Sequence, residues 1–88
     1  MTPTYVEKHQ TKGELRIGWA SWDKDFHNRS IKWAYPDASN KISRGCPEVP
    51  FDILVDMTIL AYMQGELSKV EIKRLRSALA SNRLNRND

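Results

Sequence analysis

The stretch WASWDKDFHNRSIKWAYPD, residues 19–37, holds all three tryptophans of the chain within fifteen positions, with charged and polar residues between them. Its reading decides the fold, because Trp19 and Trp33 belong to segments that alternate. In ELRIGW, residues 14–19, Leu15, Ile17 and Trp19 share one face of an extended chain, with Glu14, Arg16 and Gly18 on the other. In SIKWAY, residues 30–35, Ile31, Trp33 and Tyr35 fall together, and Lys32 and Ala34 point away. Two antiparallel strands follow from this period of two. Pro36-Asp37-Ala38-Ser39-Asn40 reads as a turn, and Lys41–Arg44 as a short returning strand ended by Gly45. Residues 1–12 are weakly patterned, with Tyr5-Val6 suited to a short edge strand.

Downstream the period changes. Cys46-Pro47-Glu48-Val49-Pro50 carries two prolines that lack N–H groups, and predicts a stiff connector outside regular structure. Pro50 suits the first turn of a helix over 50–64, and Gly65 suits its left-handed end. This segment is apolar nearly all round, with Asp52 and Asp56 as a narrow polar stripe near its positive end. Ser68 and Glu71 form a capping box that opens a helix over 68–80. Leu67 and Ile72 suit a hydrophobic staple, and Ile72, Leu75 and Leu79 an apolar stripe. Residues 81–88 read as a frayed tail.

Strands first and helices after predict an α+β fold: a small antiparallel sheet of two to three strands, then two α-helices packed on one face of it. The length of 88 residues fits a single domain. Parity assigns Trp19 and Trp33 to the core, against the apolar helix, with Leu15, Ile17, Ile31 and Tyr35 as companions. Trp22, three residues after Trp19 and followed by Asp23-Lys24-Asp25, is assigned to the surface. Covering the open sheet edge is the alternative use of its ring.

Charge is segregated. Residues 1–46 carry eight Lys/Arg against five Asp/Glu, residues 47–67 four acids and no base, and residues 68–88 six bases against two acids. Such a pattern orients a partner or a second copy, or draws neighbouring elements of the fold together. Cys46 is the single cysteine, so no internal disulfide forms and a reducing compartment is expected. No apolar run approaches the ~18–20 residues that span a bilayer, and the first fourteen residues lack the apolar core of a secretion signal. The expectation is a cytoplasmic protein without a membrane segment.

The sequence offers no catalytic, cofactor or metal site. Asp23, Asp25 and His27 place His27 and Asn28 where an EF-hand loop has its fifth and sixth positions, and Ala34 where it needs the twelfth-position glutamate. A Cys46–His27 nucleophile pair lacks a helix start at the thiol to activate it. Two functional readings remain. The first is a non-enzymatic protein-binding module, a stoichiometric regulator or inhibitor that works as a monomer or homodimer, with contacts at Trp22, Lys24, Phe26, His27 and Arg29. Its size and style are those of phage and mobile-element proteins directed at host defence complexes, anti-CRISPR-like in kind. The second is nucleic-acid binding through Arg16, Lys32, Lys41, Arg44, Lys69, Lys73, Arg74 and Arg76. The helices flanking Gly65 match a helix-turn-helix poorly, since Glu66 stands where an apolar residue is expected.

Overall fold

The structure is a computed structural model that describes residues 1–10, 12–43 and 45–81. Arg44 and the predicted tail from 82 onward lie outside the described residues. Strands β1 (Thr2–Lys8), β2 (Glu14–Trp19), β3 (Arg29–Ala34) and β4 (Val49–Pro50) precede helices α1 (Phe51–Met63) and α2 (Lys69–Ala80). The fold class is α+β, as the order of patterns predicts, with one strand more than expected. The chain groups into two compact units, Met1–Val55 and Asp56–Asp88, whose boundary falls inside α1.

The first unit is a four-stranded antiparallel sheet in the order β1-β2-β3-β4. Strand β2 begins and ends where the alternation of residues 14–19 places it. The fourth strand is not at Lys41–Arg44. There the described residues form only a bridge between Pro36 and Ile42. The Asp37 carboxylate explains this: its Oδ1 accepts from the Ser39 N–H, the Ser39 hydroxyl and the Lys41 N–H, at 2.9, 2.8 and 3.1 Å. Those bonds wind the turn, and beyond it the Asp37 N–H donates to the Lys41 carbonyl and the Ser43 N–H to the Tyr35 carbonyl on either side of the bridge. The edge of β3 is taken by Val49–Pro50, inside the predicted connector, pairing with Ile31 and Ser30. A two-residue outer strand is a place where proline is tolerated, because its missing N–H leaves no ladder bond unmade.

Burial on the sheet corrects the parity argument. The residues sealed completely are small and lie on the face predicted to be wet. Ser30 and Ala34 are fully buried, and Gly18, paired with Ser30, is buried beside them. On the face predicted to be core, Ile17, Trp19 and Ile31 are half-buried, while Trp33 is 37% exposed and Tyr35 36%. The rings are partnered by their own sheet face and its loops. His9 meets Trp33 edge-on at 4.9 Å, and Tyr35 lies 6.5 Å from Trp33. Arg29 stacks over Trp19 at 4.5 Å. Large rings on a sheet face keep an exposed edge unless another layer covers them, whereas glycine, alanine and serine vanish beneath their neighbours.

Gly18 sets the approach of β1. A Cβ there would stand 2.2 Å from the Thr2 carbonyl oxygen and 2.8 Å from Pro3 Cα, both backbone atoms that cannot rotate away. The register also slips between Pro3 and Tyr5, which leaves Thr4 free to donate its hydroxyl to the Ile17 carbonyl and to accept from Arg29.

Glu48, in the segment entering β4, ties the sheet together. Its Oε1 accepts from the Ser30 hydroxyl at 2.9 Å and the Ser21 N–H at 3.1 Å, and its Oε2 pairs with the Met1 ammonium at 3.2 Å. Only 11% of its side chain is exposed. Burial by itself pushes its pKa up, but the Ser21, Ser30 and terminal-amine hydrogen bonds outweigh it and bring the group down to about 2.

The end of α1 and the start of α2 form as their sequences specify. Gly65 adopts φ +73°. Around it the Glu66 N–H reaches the Ala61 carbonyl and the Gly65 N–H the Tyr62 carbonyl, the paired bonds of a Schellman motif. At Ser68 the capping box is complete: the Glu71 N–H donates to Ser68 Oγ at 3.1 Å, and the Ser68 N–H to Glu71 Oε1 at 2.8 Å. Leu67 and Ile72 line one groove, as a staple requires.

Two consequences can be measured. Gly18→Ala forces β1 outward and lowers stability by about 1–3 kcal/mol in urea denaturation; an unchanged midpoint would show that β1 is not held close. Because folding depresses the Glu48 pKa from 4.5 to about 2, its contribution is complete above pH 4.5 and is lost as pH falls through about 2. Glu48→Gln therefore costs about 2–3 kcal/mol at pH 7 and flattens the acid limb of the stability profile.

Candidate protein-binding loop

Residues 20–28 connect β2 to β3 and carry four of the five side chains proposed for protein contact; Arg29 opens β3. The base of the loop is closed by the Ala20 N–H donating to the Asn28 carbonyl at 2.9 Å. Glu48 holds the Ser21 N–H just inside that closure. Ala20 itself is buried, so the loop rises from a fixed point.

The interior of the loop is organised by Asp23. Its Oδ1 accepts from the Asp25 N–H at 3.0 Å, and its Oδ2 from the N–H groups of His27 and Asn28 and the Asn28 side-chain amide, at 2.8, 2.8 and 2.9 Å. Partial desolvation pushes the Asp23 pKa up, but these donors outweigh it and hold the group below the usual carboxylate range. Aspartate is suited to this role because its short side chain reaches back to main-chain N–H groups two to five residues on. The Asp23-x-Asp25-x-His27 pattern thus serves to cap a turn.

One consequence of this winding is strain at Phe26, which sits at φ +57°. A bulky residue in the left-handed region costs about 1 kcal/mol or more. Phe26 is nonetheless 54% exposed, and Trp22 51%. The Phe26 ring leans on Trp19 at 5.9 Å, and Trp19 carries Arg29 on its face. The loop therefore continues into the aromatic face of the sheet, where Trp33, Tyr35 and Tyr5 are also exposed.

The structure brings Trp22, Lys24, Phe26 and His27 together as exposed side chains of one wound loop. Trp22 is exposed as expected, and so is Trp33, which parity assigns to the core. Arg29 is different: its guanidinium is occupied by the Trp19 ring and by Thr4, at 4.5 Å and 2.6 Å, so it props the loop from below. Sequence reasoning weighed Asp23 only as a candidate metal ligand and gave Glu48 no role, though both shape the loop. An aspartate followed by closely spaced polar residues was the available sign of the first. The second is separated from its partners by eighteen or more positions and leaves no local pattern.

The basic residues of the alternative reading fall in both units. Arg16 and Lys32 face each other across β2 and β3 and are half-buried. Arg16 Nε donates to Glu14 Oε1 at 2.9 Å. Lys41 is exposed in the turn shaped by Asp37. Lys69, Lys73, Arg74 and Arg76 are exposed on α2, in the second unit. Arg44 lies outside the described residues.

Comparison of the chain with family models, with curated proteins and with solved structures finds no match to any of them.

Asp23→Ala removes four acceptor contacts from the loop and leaves the sheet ladder in place. The expected outcome, read by amide hydrogen exchange, is faster exchange at Asp25, His27 and Asn28 with β2 and β3 unchanged. Exchange at those three amides that is indifferent to the substitution would mean that Asp23 does not organise the loop.

Proposed function

We propose that the chain is a protein-binding module that acts by occupying a surface on its partner, with Trp22 and Phe26 as the anchors. One observation carries this reading: two large rings stand more than half exposed on a loop whose backbone is wound by Asp23 and strained at Phe26. A flexible loop would lose entropy on docking, and a wound one has already lost it. Exposed aromatic rings held in this way are the usual anchors of protein interfaces. Lys24 and His27 give the loop a polar rim, and the adjoining Trp33 and Tyr35 extend the apolar area. The matching partner surface is an apolar pocket with a polar border.

On this reading the protein is a stoichiometric regulator or inhibitor without catalytic action. The narrower assignment to phage or mobile-element interference with host defence has chain size as its sole support.

The test is capture of partners by the tagged full chain at about 150 mM salt, compared with Trp22→Ala and Phe26→Ala. Truncating an aromatic anchor weakens binding by about 2 kcal/mol or more, roughly thirty-fold in Kd. Partner capture that survives both substitutions would refute the proposal. So would retention on nucleic acid that falls steeply with salt and disappears in Arg74→Glu with Arg76→Glu.

A further inference from the structure

The hairpin turn between β1 and β2 lies at the end of β2 opposite the binding loop, and it carries a depression of its own. Lys8, His9, Lys12, Gly13, Glu14 and Ile42 line about 300 Å³ of space there. All six belong to the first unit. Gly13 fixes the wall. Its carbonyl accepts from the His9 N–H at 2.8 Å, and a Cβ on it would stand 2.2 Å from the Trp33 ring. That indole also meets the His9 ring edge-on at 4.9 Å. The turn is therefore seated on a side chain of β3.

The charges around the depression do not balance. Glu14 is the only acid of the six, and it is engaged: Arg16 Nε donates to its Oε1 at 2.9 Å, and a second guanidinium nitrogen binds the same oxygen. Lys8 stands opposite Glu14 in the register of β1 and β2, yet among the described residues neither Lys8 nor Lys12 has an ion-pair partner. The Glu14–Arg16 pair is neutral, which leaves two ammonium groups beside one cavity. Lys12 is held at φ +68°, a left-handed position that glycine or asparagine takes with less strain. The turn thus keeps a cation where an uncharged residue would suit the backbone better.

Size and charge together name the ligand. The volume is at the lower end of the range for small-molecule sites, roughly 300–1,000 Å³, and Ile42 is the one aliphatic side chain in the lining. A phosphate monoester carries about −1.5 to −2 at pH 7 and offers three strong acceptor oxygens. Two ammonium groups, each with several N–H donors, match that charge and those acceptors. A phosphodiester carries a single negative charge and matches less well. We propose that the depression at the β1–β2 turn binds a terminal phosphate group, free or at the end of a small phosphate ester, with Lys8 and Lys12 as its counter-charges. The site shares no residue with loop 20–28 and does not depend on the role proposed for that loop.

The experiment is a titration of the isotope-labelled full chain with inorganic phosphate, followed by amide NMR, with sodium chloride at equal ionic strength as the reference. The expected result is saturable shifts at Lys8, Lys12, Gly13 and Ile42 with a Kd of about 1–10 mM. Glycerol phosphate, a monoester, gives the same pattern. Lys8→Ala and Lys12→Ala each weaken binding by about tenfold, and together they abolish saturation. Lys8→Arg with Lys12→Arg keeps it, which separates a lost charge from a lost fold. Diethyl phosphate, a diester, binds at least about tenfold more weakly than glycerol phosphate. Shifts that grow linearly and equal those in chloride overturn the proposal. Saturation that persists in the double alanine variant overturns it too, as does equal affinity for the diester.

Discussion

The Glu48 carboxylate gathers three parts of the first unit that the sequence keeps far apart. It holds the terminal amine beside β1, the loop after β2 and the start of β3 on two oxygens. The Ser30 hydroxyl, fully buried, would otherwise lose its water without gaining a partner, a cost of about 1–3 kcal/mol. Ser30, the fully buried polar residue at the centre of the sheet, depends on it directly. The small residues around Ser30 close up because no bulky side chain is needed there. With a carboxylate as the fixed centre, the buried face can be built from Gly18, Ser30 and Ala34.

That arrangement leaves the aromatic residues to the other face. Trp19, Trp33 and Tyr35 lie on or beside the sheet, each in contact with another ring or a cation and each partly open. The loop that carries Trp22 and Phe26 rises from the Glu48 end of the sheet, and Asp23 repeats within it the device that Glu48 uses below. One carboxylate, several N–H donors and a chain that must turn back produce a fixed conformation without apolar packing. The rings on that loop are therefore positioned before any partner arrives, which is the basis of the proposed binding role. The helical hairpin solves a different problem. Its turn is built locally, by Gly65 after α1 and the Ser68–Glu71 box at the start of α2, yet neither helix holds a buried residue. Local signals fix where a helix begins and stops, and burial must come from elsewhere.

Features governed by neighbouring residues were legible in the sequence. The alternation of residues 14–19, the capping box and the glycine after α1 each depend on atoms within a few positions, and each appears where expected. The exposure of Trp22 was anticipated, but parity is not its cause: the chain leaves β2 at Trp19 and turns at Ser21 and Trp22, so strand parity does not reach it. The misreadings share an origin in distant contacts. Hydrophobic alternation assigned the core to the ringed face, but close backbone approach at Gly18 and the Ser30–Glu48 bond decide which face is sealed. The Lys41–Arg44 segment has strand-like composition, and its described part is bent by Asp37 instead. Val49–Pro50 carries no strand signal and pairs because β3 offers an open edge beside it. Among the candidate contact residues, the Arg29 guanidinium is engaged by Trp19 and Thr4, partners that its position did not announce.

The account rests on an ionised, multiply hydrogen-bonded Glu48, and a titration of its side-chain carboxyl by carbon-detected NMR reads that state directly. The structure requires a midpoint of about 2 in the folded chain. A midpoint near the ordinary 4.5 would mean that the carboxylate is not engaged by Ser21 and Ser30, and the fixed base of the loop would go with it.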